Sequence, residues 1–81
     1  MSYRVEFHAS ALAQLHGLPP SAFDALVERV GKLVGAPWES LSLDRDESAF
    51  RQCIFGGLGL LSFHVDDDRE LIRIFDVTWV G

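Results

Sequence analysis

The chain carries three imidazoles, His8, His16 and His64, and one thiol, Cys53. Imidazole titrates near neutrality, so each histidine is a candidate for proton transfer. His8 and His64 fall in stretches patterned as strands, where they could approach each other, and His64 is the candidate general base. Their spacing contains no His-x-x-x-His or His-Glu pair, so no zinc-type ligand set is expected. Cys53 alternates into a strand, where a small buried thiol is the ordinary outcome. No Cys-His-Asp arrangement accompanies it, which argues against nucleophilic catalysis.

Three of the arginines, Arg4, Arg51 and Arg73, also fall on strand-like segments. In a strand Arg51 shares its side with Cys53 and Phe55, and Arg73 shares its side with Leu71 and Phe75. A guanidinium on a packed face loses hydration, so it needs a partner or a task. One reading pairs these arginines with Glu6 or Asp76. The other gives them a phosphate or a partner molecule to hold across an open sheet face, with Arg4, Arg73 and Trp79 as the binding residues. Trp38 and Trp79 bracket the segment; each either caps the core or marks a contact surface.

Two short motifs invite sharper chemistry and do not support it. "GGLG" (Gly56 to Gly59) lacks the longer spacing, the Lys-Ser/Thr ending and the following helix of a phosphate-binding loop. Apolar strand-like runs flank it, so it reads as a hairpin turn. "DDDRE" (Asp66 to Glu70) lacks the alternating spacing of a calcium loop. It reads as a solvated hairpin tip, and neither a metal nor a cofactor is expected.

The 81 residues are enough for one domain spanning 1–81, and 48% of them are apolar, enough for a core. Twelve acidic residues against seven Lys and Arg leave a net charge of −5. Such a surface repels phosphate backbones and argues against general nucleic-acid binding. One cysteine allows no intrachain disulfide, which fits a reducing compartment. The start "MSYRVEFHAS" alternates polar and apolar, unlike a signal peptide, and no run approaches the ~18 apolar residues of a membrane span. A cytoplasmic protein is expected.

These residues must be positioned by a small set of elements. "YRVEFH" alternates and reads as a strand over about residues 2–8. "ASALAQLH" has helical spacing and is stopped by Gly17 and Pro19-Pro20. "SAFDALVERVGKLVG" is the clearest helix. Ser21 and Asp24 resemble a capping box, Phe23, Leu26, Val27, Val30, Leu33 and Val34 form its apolar stripe, and Gly35 suits a left-handed C-terminal cap. A polar connector, residues 36–49, leads to three apolar runs at about 50–55, 60–65 and 71–79. In the last run Leu71, Phe75, Val77 and Trp79 lie on one face and Ile72, Ile74 and Val80 on the other, as in an interior strand. The order is βααβββ, an α+β fold with a helical hairpin on one face of a small, antiparallel-rich sheet.

The strings "YRVEFHASALAQLHGLPP", "GAPWESL" and "FR…FGGLGLLSFHVDD…LIRIFDVTWVG" together resemble the RelE/ParE toxin superfamily of bacterial type II toxin–antitoxin systems. The resemblance covers nearly the whole chain. It implies the same βααβββ layout, a cognate antitoxin as partner and, in the RelE branch, cleavage of mRNA on the ribosome. There the RNA 2′-hydroxyl is the nucleophile, and the protein supplies charge stabilisation and proton transfer. Carried over residue by residue, Arg51 matches a basic residue on the first strand of the meander, and Glu39 in "PWESL" lies near an acidic residue that some members use as a base. His64 would be the substitute proton carrier if it faced the same cleft as Arg51; by strand count it sits on the side of Leu60 and Ser62. Leu60 occupies a position where many members have arginine, and Thr78 and Trp79 stand where others have His or Tyr. The expectation is therefore a RelE-like toxin component with mRNA cleavage weak or lost. The alternative is a non-catalytic interaction module on the same scaffold, either homodimeric or antitoxin-binding. No residue favours a gyrase poison.

Overall fold

The computed structural model describes residues 3–42 and 49–80 of the chain. The alternating start becomes β1 (Arg4–Phe7), with Val5 and Phe7 turned inward and Arg4 and Glu6 outward. Residue 2, expected in this strand, and residues 43–48 of the connector lie outside the described residues. Helix α1 (Ala9–Leu15) follows at once and buries Ala11.

Helix α2 (Pro20–Gly35) starts earlier than the capping-box reading places it. Pro19 is its extended cap residue and Pro20 its first residue, where a missing N–H costs nothing. Ser21 therefore lies inside the helix, and no side chain caps the end. Gly35 is not a left-handed cap either: it stays helical, and Ala36 (φ −154°, ψ 67°) ends the helix. Pro37 disfavours helical backbone at the residue before it, which is enough to turn the chain there.

Ala22, Leu26 and Leu33 are the buried positions of α2. Phe23 and Val27, expected on the same stripe, are 43% and 56% exposed. The physical reason is the length of α1, whose seven residues are too few to cover the flank of a sixteen-residue neighbour. An apolar groove of about 180 Å3 remains there, lined by Phe7, Leu15, Phe23, Leu26, Val27 and Val30.

The sheet has five strands, completed by β2 (Leu41–Ser42), β3 (Phe50–Phe55), β4 (Gly59–Asp66) and β5 (Leu71–Trp79). The two-residue β2 arises inside the connector, where no strand is expected from sequence. The order is β1-β5-β4-β3-β2, with β1 parallel to β5 and every other pair antiparallel. β5 is thus interior, as its apolar pattern on both faces requires. The helices cover one face over Cys53, Phe55, Leu61, Phe63, Val65, Ile72, Ile74 and Val77. No helix among the described residues is long and apolar enough to cross a membrane.

The face assignment within β5 differs from simple alternation. A register shift lies between Ser62 and Phe63: Ser62 pairs with Asp76, Phe63 with Ile74, and Phe75 is left over. Such a bulge advances the side-chain phase by one residue. Ile72 and Ile74 face the helices before it and Val77 and Trp79 after it, while Phe75 keeps the open side that it shares with Arg73. Helix α1 completes the broken ladder. Gln14 accepts from the Val77 N–H (2.8 Å) and donates to Asp76 Oδ1 (3.1 Å), while Ser10 donates to the Phe75 carbonyl (3.4 Å).

Both hairpins form where expected. Gly56 (φ 61°) and Gly57 (φ 79°) turn β3 into β4. Gly59 has a different role: a Cβ there would lie 2.4–2.6 Å from the ring of Phe55, its cross-strand partner. The ring lies over the bare glycine backbone and fills the gap in the sheet. At the second hairpin, Asp67 is more than a solvated charge. Its Oδ1 accepts from the Tyr3 hydroxyl (2.5 Å) and from Trp38 Nε1 (3.2 Å). The tip thereby ties the chain start to the connector. Because the neutral phenol donates to that carboxylate, the Tyr3 pKa is raised above its ordinary value.

Candidate functional site

The pairing of β3 with β4 decides which candidates meet. Directly opposed residues share a face, and Arg51 opposes Phe63 while Phe50 opposes His64. Arg51 thus lies on the helix-covered side and His64 on the open side. The expected pair of cation and proton carrier is divided by the sheet itself.

Arg51 is engaged by the connector. Its Nε donates to Ser40 Oγ (2.7 Å), and its Nη2 donates to the carbonyls of Ser40 and Trp38. The guanidinium carbon lies 5.0 Å from the centre of the Trp38 ring, within cation–π range. Ser40 Oγ in turn donates to the Pro37 carbonyl (2.7 Å). Arg51 therefore anchors the segment that follows α2. Glu39, exposed between the Trp38 and Ser40 that Arg51 holds, borders grooves shared with Arg29 and does not line the groove of His64.

His64 lines a groove of about 470 Å3 on the open face, together with His8, Phe50, Arg73 and Phe75. Each member arrives by a separate route. Arg73 is the cross-strand partner of His64. Phe75, two residues on from Arg73, shares its face by simple alternation, ahead of the change of phase at the bulge. His8 closes β1 with its N–H on the Ile74 carbonyl (2.8 Å), and its carbonyl opens α1. The Phe50 ring meets His64 edge-on, with centres 4.8 Å apart, and meets Phe75 at 5.9 Å. Arg73 is held by Glu6 (Nε to Oε1, 3.6 Å), the pairing that the sequence offered as one alternative. Both side chains are substantially exposed, so the ion pair is worth about 0–1 kcal/mol and yields readily to a competing anion. This groove offers two imidazoles, one guanidinium and two aromatic edges. It can bind an anionic or flat group and move a proton. Sequence reasoning named His64 and Arg73 and set Phe75 on the side of Arg73, but it did not name Phe50 and Phe75 as wall residues, because the pairing that brings Phe50 to His64 has no sequence signal.

The remaining candidates are placed as follows. Arg4 is exposed on β1. Trp79 is half-buried on the helix side, stacked on Phe55 at 5.8 Å and 26°, and its ring lies against Gly56. Its Nε1 is buried without a partner. Leu60 is half-buried on the open face between Ile54 and Thr78, so the centre of that face is apolar. One residue unforeseen from sequence is Arg29 on α2, whose Nε is buried with no hydrogen-bond partner. Leaving a buried donor unmade costs about 1–3 kcal/mol, and more when the group is charged.

No family profile matches the chain, and no curated protein sequence does. Solved structures match along its whole length. A chain of the RelBE2 toxin–antitoxin complex of Mycobacterium tuberculosis superposes with a TM-score of 0.87 at 28% identity, covering 99% of this chain and 100% of that one. A chain of the intact Escherichia coli RelBE complex gives 0.83 at 15% identity, covering 99% of each. A chain of the archaeal RelE–RelB complex of Pyrococcus horikoshii gives 0.74 at 19% identity, covering 100% and 98%. Helical hairpin and five-stranded sheet lie within the superposed length, and the chain shares the fold of the RelE toxin chains.

Proposed function

We propose that the protein is the toxin-like component of a type II toxin–antitoxin pair, RelE-like, held by a cognate antitoxin, and that its ribosome-dependent mRNA cleavage is slow or absent. The observation that carries the first part is the end-to-end superposition on a chain of the RelBE2 complex at 28% identity. The second part is supported by the separation of Arg51 and His64 onto opposite faces of the sheet. Cleavage through the RNA 2′-hydroxyl needs a cation and a proton carrier within reach of one phosphate. Misplacing either removes about 10² or more of the rate. Leu60, half-buried between Ile54 and Thr78, supplies no charge on the open face, and a net charge of −5 disfavours approach to a ribosome.

Two measurements test this. Expression of the chain alone should arrest growth, and co-expression of its cognate antitoxin should relieve the arrest; no arrest and no complex would remove the toxin reading. Purified protein added to translating ribosomes should leave mRNA ends unchanged or nearly so. Efficient cleavage that is lost in Arg51→Ala, with its fold verified by circular dichroism, would overturn the slow-cleavage reading. The non-catalytic interaction module is favoured instead if the protein binds a partner, or itself, without arrest or cleavage.

A further inference from the structure

The open-face groove of His8, Phe50, His64, Arg73 and Phe75 is lined by groups that the chain itself engages weakly or not at all. Neither imidazole has a polar partner among the described residues. Arg73 has only Glu6, its neighbour across the parallel ladder, at 3.6 Å with both side chains substantially exposed. An exposed pair of this kind exchanges its anion at little cost. The backbone offers nothing in its place: the His8 N–H is on the Ile74 carbonyl, and β4 and β5 are paired with each other along this stretch. An arriving anion is therefore met by one guanidinium fork and two imidazoles, all of them side chains.

The surroundings decide what carries that anion. Phe50 stands edge-on to His64 at 63° and to Phe75 at 75°, so three flat side chains lie together beside the cation and offer both edges and faces to a further ring. The volume, about 470 Å3, lies within the ~300–1,000 Å3 range of small-molecule sites. A run of phosphodiesters would set several charges against a single guanidinium, with Glu6 on the rim and a net charge of −5 behind it. A lone carboxylate replaces Glu6 like for like, and its two oxygens match the planar fork of Arg73. We propose that this groove binds a small aromatic carboxylate, one or two fused rings bearing a single carboxylate, which takes the place of Glu6 on Arg73 and lays its ring against Phe50 and Phe75. The inference does not rest on the toxin reading, and it stands whether or not expression arrests growth.

The test uses the full chain and 1H–15N correlation spectra that resolve the arginine Nε–H signals, with Arg51, held on Ser40, as internal control. Indole-3-carboxylate, against sodium chloride at equal ionic strength, is expected to move the Arg73 signal saturably and leave that of Arg51 in place. It should bind about tenfold more tightly than indole-3-carboxamide, as for loss of one charge-assisted pair, and about tenfold more tightly than acetate, which has no ring. Glu6→Gln removes the internal competitor and should tighten binding several-fold, a gain that a merely structural ion pair would not give. Arg73→Gln, followed on the ligand's own proton signals, should abolish the preference for the carboxylate over the carboxamide. If that variant fails to fold, Phe50→Leu should leave acetate binding unchanged and erase the advantage of the ring. No saturable shift at Arg73, equal binding of carboxylate and carboxamide, or a Glu6→Gln variant that binds no more tightly than the parent overturns the proposal. So does a short oligouridylate that binds more tightly than indole-3-carboxylate in an Arg73-dependent way, which would make this a nucleic-acid site. A shift of the Arg73 signal on concentrating the protein alone would assign the groove to a second copy of the chain and likewise overturn it.

Discussion

Arg51 and His64 stand on opposite faces of one sheet, although each lies within one residue of the other's cross-strand partner: Arg51 opposes Phe63, and His64 opposes Phe50. A single-residue offset in a ladder of period two is enough to keep them apart. Arg51 is therefore a structural residue of the connector. His64 has His8 and Arg73 for company.

Arg51→Ala should lower stability by about 1–3 kcal/mol, because it removes charged hydrogen bonds to Ser40 and to two backbone carbonyls. Trp38 loses its cation in the same step, so its fluorescence should change along with the urea midpoint. An unchanged midpoint would return Arg51 to the list of free functional residues.

Gln14 is the side chain that makes the bulge in β5 tolerable, since it satisfies the Val77 N–H and the Asp76 carboxylate together. Gln14→Leu, similar in size and without polar atoms, should cost about 1–3 kcal/mol in denaturant unfolding. Amide exchange at Val77 should speed up beyond that of its neighbours. Native-like protection at Val77 in the variant would refute the assigned role.

Gly59→Ala should destabilise through overpacking against Phe55, by about 1–3 kcal/mol. Combining it with Phe55→Leu should be less harmful than the sum of the two single changes, because the leucine vacates the space the new methyl needs. Strict additivity in thermal unfolding would show that contact with the ring is not the cause.

Tyr3 should give the fold a dependence on alkaline pH. Its pKa is raised by the hydrogen bond to Asp67, so the neutral phenol is favoured in the folded state. The stabilisation is complete below the ordinary tyrosine value of 10.0 and is lost as pH rises through the higher folded value. Tyr3→Phe should remove that slope while leaving the other titrations in place. Thermal midpoints measured across the alkaline range decide this, and identical slopes for the two proteins would dismiss the Asp67 contact.

Periodicity determined the elements and their order. Alternation in "YRVEF", the helical spacing of α2, and turn residues between apolar runs all act over a few residues, and local physics places them without help from the rest of the chain. The same holds for "GGLG" as a turn, because positive φ at Gly56 and Gly57 is a local need. Tertiary structure decided the site. Whether Arg51 shares a cleft with His64 depends on strand register, and Val77 and Trp79 turn to the helix face only through a bulge that α1 completes from more than sixty residues away in sequence. Arg29 looked like one more charge on an amphipathic helix. Its unpartnered Nε emerged only once folding had buried that atom.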